Sequence, residues 1–206
     1  GYSGTILTSS DGTTWTSKTS GTTKGLWGVT YGNSTWVTNG DNGSIFTSSD
    51  GTSWDNRTSG ISSDIIGITY GNSIFVAVGS NGKILTSSDG TTWTPRTSGT
   101  THDFHGITYA NSTFVAVGVS GTIRTSSDGT TWTSLTSVGG GELNGITYGN
   151  STFVIVSDSY RTYTSSDGIT WNSNYIGASF AVFWGVIYAN NTFMAVGNSG
   201  TIITSS

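Results

Sequence analysis

Five aspartates, Asp11, Asp50, Asp89, Asp128 and Asp167, recur 39 residues apart, each after two serines and before a glycine. Four residues beyond each stands a tryptophan: Trp15, Trp54, Trp93, Trp132 and Trp171. A hydroxyl, a carboxylate and an indole repeated five times could form a metal or catalytic set. Each copy offers a single carboxylate, however, and hard cations gather several oxygen ligands in one place. An Asp beside a Gly more simply accepts hydrogen bonds from turn amides, with the Trp covering the turn. These ten residues are therefore expected to be structural, and no metal is expected.

The other residues capable of chemistry are sparse. His102 and His105 form a His-x-x-His pair without a third ligand marked by spacing. Glu142 is the sole glutamate, and the four arginines do not share one position of the repeat: Arg57 and Arg96 stand in fourth strands, Arg124 in a third strand and Arg161 at the start of another. A glycosidase needs two acids flanking a cleft, and no pair is picked out here. The expectation is a non-enzyme without cofactors.

Composition narrows the partners. Net charge is −4 and the seven cations are scattered, which argues against a phosphate backbone as ligand. No apolar run approaches the roughly 20 residues of a membrane helix, so no membrane insertion is expected. Cysteine is absent, and thiolate and disulfide chemistry with it. Apolar residues at 33%, aromatics at 12% and 31 glycines fit a turn-dense all-β protein with a core to bury.

The period supplies the architecture. Each cycle holds four apolar or β-branched runs, as in Gly28–Tyr31, Thr35–Thr38, Ser44–Thr47 and Thr13–Thr16, joined by three tight turns and one longer connection. The Asp-Gly dipeptide predicts a type I′ hairpin between the third and fourth strands. Four-stranded antiparallel meanders of this length predict blades, and first strands begining at Gly28, Gly67, Gly106, Gly145 and Gly185 predict five of them. The reading is all-β: one five-bladed β-propeller domain of four-stranded antiparallel blades over residues 1–206. Tyr31, Tyr70, Tyr109, Tyr148 and Tyr188, with Trp36, Phe75, Phe114, Phe153 and Phe193, form rows suited to blade-on-blade packing. The third strand occurs six times, with 4–10 and 200–206 as terminal copies of one another. The ring is expected to close by joining 185–197 to 12–19, with 4–10 favoured to complete that blade. The surplus copy then frays or exchanges with another molecule, giving a monomer or a strand-exchanged oligomer.

The Ser-x-Asp-Gly-x-Thr-Trp element resembles the Asp box of BNR-repeat propellers, one residue shorter between Asp and Gly than that family's pattern. The resemblance implies that the box is a folding device on the face opposite the usual ligand face. Five-bladed tachylectin-type lectins are similar in blade number and composition. Sialidases, which share the Asp box, use an arginine cluster and a tyrosine nucleophile, and no such grouping is marked here.

Copies differ most between fourth and first strands: Lys24-Gly25-Leu26-Trp27, Ser63-Asp64-Ile65-Ile66, His102-Asp103-Phe104-His105, Gly141-Glu142-Leu143-Asn144 and Ala181-Val182-Phe183-Trp184. Loops on one propeller face can converge from distant points of the sequence. The ligand-binding candidates are Lys24, Trp27, Asp64, His102, Asp103, His105, Glu142, Asn144 and Trp184. Rings beside acids and amides suit glycans, so a lectin-like, extracellular or cell-surface protein is the leading expectation. Trp27 and Trp184 would be neighbours in a closed ring. A structural or protein-interaction module is the alternative, and a degenerate glycosidase the third reading. Leu26, Ile65, Phe104, Leu143 and Phe183 are equally well read as core.

Overall fold

The computed structural model describes residues 1–177 and 182–205. Ala181 of the last variable connection and Ser206 of the last third-strand copy lie outside them. Two short strands come first, β1 (Ile6–Thr8) and β2 (Thr16–Lys18). Four antiparallel four-stranded sheets follow: β3 (Leu26–Gly32), β4 (Thr35–Gly40), β5 (Ile45–Ser48) and β6 (Asp55–Arg57); β7 (Ile65–Gly71), β8 (Ile74–Gly79), β9 (Ile84–Ser87) and β10 (Thr94–Arg96); β11 (Phe104–Ala110), β12 (Thr113–Gly118), β13 (Ile123–Ser126) and β14 (Thr133–Ser134); β15 (Leu143–Gly149), β16 (Thr152–Ser157), β17 (Arg161–Ser165) and β18 (Asn172–Tyr175). The chain ends on a three-stranded sheet, β19 (Phe183–Ala189), β20 (Thr192–Gly197) and β21 (Ile202–Ser205). Each sheet is a meander in sequence order, as short turns between adjacent strands require.

Successive sheets stack face to face, and the core is divided into layers between them. Val37, Ile45, Ile65, Phe75, Ala77 and Leu85 form one layer, and Val115, Val117, Ile123, Leu143, Phe153 and Ile155 another. The last layer, Val156, Phe183 and Ala195, is the smallest. Within each sheet the first-strand tyrosine leans on the second-strand ring, with centroids 4.4 Å apart for Tyr109 and Phe114. Between sheets the tyrosine covers a small residue. A Cβ built on Gly71 would lie 2.2 Å from the Tyr109 ring, so glycine there lets two sheets approach closely.

Three expectations need correction. The Ser-x-Asp-Gly turn is not type I′, because in it only the glycines carry positive φ, between 72° and 77°. The I′ pattern belongs to the hairpin between first and second strands, where Asn33 and Ser34 (φ 45° and 56°) and their equivalents are both left-handed. Second, the fourth strands begin after the tryptophan, at Thr16 rather than Thr13 in the first copy. The carboxylate holds the intervening amides in a loop and keeps them out of the ladder. Third, Leu26-Trp27 and its equivalents are strand rather than connection: they open β3, β7, β11, β15 and β19.

The two end sheets, β1–β2 and β19–β21, are separate in the hydrogen-bonded order. Gly1 reaches across to the first sheet, exchanging two backbone hydrogen bonds with Leu26 of 2.6 and 2.9 Å.

Candidate functional site

The strand register divides the molecule into two faces. Leu26 pairs with Gly40 at one end of β3–β4, while Tyr31–Trp36 and Trp36–Ser48 pair at the other. The aspartate loops follow Ser48 and its equivalents and therefore share the second face. Here Asp11 Oδ1 accepts the amides of Thr13 and Thr14 at 2.8 Å each and the Ser9 hydroxyl at 2.9 Å. Trp15 donates its indole N–H to the Gly12 carbonyl at 3.1 Å. Asp50, Asp89, Asp128 and Asp167 repeat the carboxylate pattern. These bonds to the charged form hold the carboxyls below the usual range, with Asp167 lowered to about 2 chiefly by the Thr170 and Ile169 amides. Trp54, Trp93 and Trp132 also donate to their loop glycines, whereas the indole nitrogen of Trp171 is buried with no partner. Every described loop of this kind spends its carboxylate on its own backbone.

The opposite face is built on a bulge. In β3, β7, β11, β15 and β19 the pairing skips one residue after the first pair, at Trp27, Ile66, His105, Asn144 and Trp184. A bulge leaves its extra residue unpaired and re-aims the side chain. The residue just before each bulge is core: Leu26, Ile65, Phe104, Leu143 and Phe183 are all buried. One position along, the same strands present two indoles, an imidazole, an amide and an aliphatic chain. Trp27 and Trp184 are 50% and 59% exposed.

The remaining candidates are used differently from copy to copy. Asp64 and Asp103 brace the preceding sheet, accepting the Asn42 and Asn81 amides at 2.7 Å. The Glu142 amide is held at 2.8 Å by Asp158, and the Val182 amide at 3.0 Å by Asn198. His102 Nδ1 lies 2.8 Å from the Thr122 hydroxyl, and Lys24 is an exposed rim residue whose amide donates to the Thr22 hydroxyl. The structure joins His105 to Asn144, with Nδ1 and Oδ1 3.2 Å apart, and Asn144 donates to the Phe183 carbonyl at 2.8 Å. It does not join Trp27 to Trp184, which sit on the first and last long sheets of the row.

Sequence reasoning missed three contributors. Asp41 accepts the Gly25 amide on one oxygen and the Trp27 indole N–H, at 2.7 Å, on the other, fixing that ring on the rim. Asn39 is fully buried and donates to the Ile65 carbonyl across sheets at 2.6 Å. Arg124 is buried, donating to the Ser98 and Gly99 carbonyls, and burial lowers its pKa. Aligning the repeats offers the signal: Asn39 replaces the Val found at 78, 117, 156 and 196, and Arg124 the Leu at 85. The four arginines lie on four different sheets, on β6, β10, β13 and β17. Among the described residues no group of three or more His, Asp or Glu is placed to hold a metal ion. No helix among them is long and apolar enough to cross a membrane.

No family model matches the chain, and no curated protein matches it. Solved β-propellers do. Virginiamycin B lyase from Staphylococcus aureus superposes with a TM-score of 0.84 at 14% identity, over 98% of this chain and 77% of that one. YCF48 from Cyanidioschyzon merolae gives 0.72 at 17% identity, over 97% and 76% of the two chains. A second YCF48 structure, bound to a D1 peptide, gives 0.70 at 18% identity, and there this chain covers 63% of the other. The WD40 propeller domain of Doa1 gives 0.69 at 13% identity over 98% and 67%. At these identities the likeness is one of fold: the sheets are propeller blades.

Proposed function

We propose that the chain is a five-bladed Asp-box propeller acting as a binding module, and that its ligand is an extended polypeptide taken up on the rim of bulged residues. One observation carries the reading. Residues on and around this rim vary between copies while the aspartate loops repeat, and Trp27, Ile66, His105, Asn144 and Trp184 all stand at the same bulge. Divergence concentrated around one re-aimed position on one face suits recognition of a non-repeating ligand. A peptide suits it because exposed indoles offer amphipathic anchors and the half-buried His105 imidazole, held from behind by the buried Asn144, offers a polar contact. The peptide-bound YCF48 neighbour is consistent with this use of the fold.

Glycan binding is the second reading, favoured by the exposed Trp27 and Trp184 rings. It is weakened by the acids, since Asp64, Asp103 and Asp41 already accept protein amides. On either reading the module is non-catalytic, and an extracellular setting remains our expectation from composition.

Selection from a phage-displayed library of linear peptides, run beside a glycan array, tests the proposal. Trp27→Ala and Trp184→Ala should each weaken a selected peptide by about tenfold or more. Selected peptides indifferent to both substitutions would overturn the rim as the site. Glycan binding that depends on the same two rings would transfer the assignment to sugar.

A further inference from the structure

A carbonyl beside the bulge fixes the orientation of one rim side chain, and that side chain fixes the next. In β19 the ladder skips Trp184, between the pairs Phe183–Gly197 and Gly185–Val196. The Phe183 carbonyl beside the gap accepts from the Asn144 side-chain amide of the preceding sheet at 2.8 Å. Asn39 does the same for the Ile65 carbonyl beside the gap in β7. A carbonyl oxygen can only accept, so the amide nitrogen of Asn144 must face Phe183 and its Oδ1 must face the other way. Asn144 is buried, and a flipped amide would set two acceptors against each other with no water to relieve them.

That orientation decides where His105 carries its proton. Its Nδ1 lies 3.2 Å from Asn144 Oδ1. The distance is a hydrogen bond when Nδ1 bears hydrogen and a contact between two lone pairs when it does not. A neutral imidazole has one N–H, so with the proton on Nδ1 the other nitrogen, Nε2, presents a bare lone pair. Nε2 has no partner among the described residues. The buried side-chain atoms without partners are Asn39 Oδ1, Tyr163 Oη and Trp171 Nε1, so Nε2 of this half-buried ring is accessible. His102 lacks such a relay: its Nδ1 lies 2.8 Å from the Thr122 hydroxyl, which can donate or accept and selects neither tautomer.

We infer that the relay from Phe183 through Asn144 holds His105 as its Nδ1–H tautomer, and that Nε2 accepts a hydrogen bond from an N–H group of the polypeptide ligand. The ligand half rests on the peptide reading above; the tautomer does not. A single imidazole does not hold a metal ion, and among the described residues no group of three or more His, Asp or Glu is placed to do so. A ligand carbonyl or carboxylate at this point would meet the Nε2 lone pair, so the position selects donors over acceptors. Its equivalents cannot take over that task. Ile66 has no polar side-chain atom, Asn144 has both ends of its amide engaged, and Trp27 directs its indole N–H to Asp41. His105 is thereby the acceptor that sets polarity on this stretch of the rim.

Long-range proton–nitrogen NMR spectra of the unmodified chain, without ligand and with the imidazoles neutral, read the tautomer directly. At His105 the Nδ1–H form should outnumber Nε2–H by about fivefold or more, the reverse of the preference of a histidine side chain free in water. Asn144→Leu removes the acceptor and should return His105 to that ordinary preference. A majority of Nε2–H in the unmodified chain overturns the relay whether or not the variant folds, and Nδ1–H that survives Asn144→Leu overturns Asn144 as its cause. For the ligand half, a linear peptide selected by phage display on the rim is resynthesised with single backbone N-methyl groups and with single alanine substitutions. These remove main-chain and side-chain N–H groups respectively, so the series that responds names the source of the donor. One such change should weaken binding to the parent about tenfold and binding to His105→Leu by less than about twofold. Equal losses on both chains at every position overturn Nε2 as the acceptor. Failure to select any peptide overturns the polypeptide reading and the ligand half with it, while the spectrum judges the tautomer by itself.

Discussion

The internal and terminal blade faces carry almost the same residues and meet opposite fates. Phe75 and Phe114 are fully buried, while Trp36, at the same position of the first long sheet, is 38% exposed. Val76 and Val115 are fully buried, and Met194 is 42% exposed. Val117 is fully buried and Val196 is 46% exposed. A blade of this type does not bury its own apolar side chains; its neighbour does so. Stability therefore belongs to the interfaces between repeats, as expected where repeats contact chiefly their neighbours.

The largest test of that contrast is truncation. Phe114→Ala, inside two packed sheets, should cost about 3–5 kcal/mol in urea unfolding. Trp36→Ala should cost markedly less while its face is open. If the ring closes, the two values draw together, so the difference between them measures closure.

Overpacking comes next. Gly71→Val would push Cβ and methyls into the Tyr109 ring and should cost about 1–3 kcal/mol. Ala189→Val, on the exposed equivalent, should stay within about 0.5 kcal/mol for an open row. Thermal unfolding of the pair gives the comparison without a ligand.

The aspartate loops give an effect tied to pH. Their folded carboxyl pKa values lie below the unfolded value near 3.9, so their contribution is complete above that value and lost as pH falls through and below it. Urea midpoints should be insensitive to these groups at neutral pH and drop progressively below about pH 4. Asp89→Asn should lower the midpoint at neutral pH and flatten the acid limb. Asp11→Asn, in the two-stranded end sheet whose Trp15 is 58% exposed, should do so less.

The smallest stability effect is expected at the rim. Trp27→Ala with Trp184→Ala should leave the unfolding midpoint within about 0.5 kcal/mol of the parent. A large loss would identify these rings as structural and remove the main anchors of the proposed site.

Much of the molecule was legible from the period. The four strands per cycle, their antiparallel order and the structural use of the aspartate all follow from local chemistry: alternation, turn residues and a carboxylate next to turn amides. The type of turn was not, because Asn-Ser and Asp-Gly both permit positive φ, and the carboxylate's own bonds take Asp-Gly out of the hairpin class. Of the site, the variable stretch was visible as disagreement among copies. That its second half is strand, and that a bulge separates the buried Leu26, Ile65, Phe104, Leu143 and Phe183 from the rim residues after them, depends on pairing with β4, β8, β12, β16 and β20. No single strand contains that information.

The sequence by itself determined the blade: its length, its meander, its fastening loop and the two faces it would offer to neighbours. Only the tertiary structure decided which side chains are spent on bracing and which stay exposed. Asp64 and Asp103 look like ligand acids until the Asn42 and Asn81 amides are found on them, and Asp41 looks like a turn residue until it holds Trp27. Hydrogen bonds between residues 14 to 22 positions apart set those roles, because a polar group held against neighbouring backbone must be satisfied there.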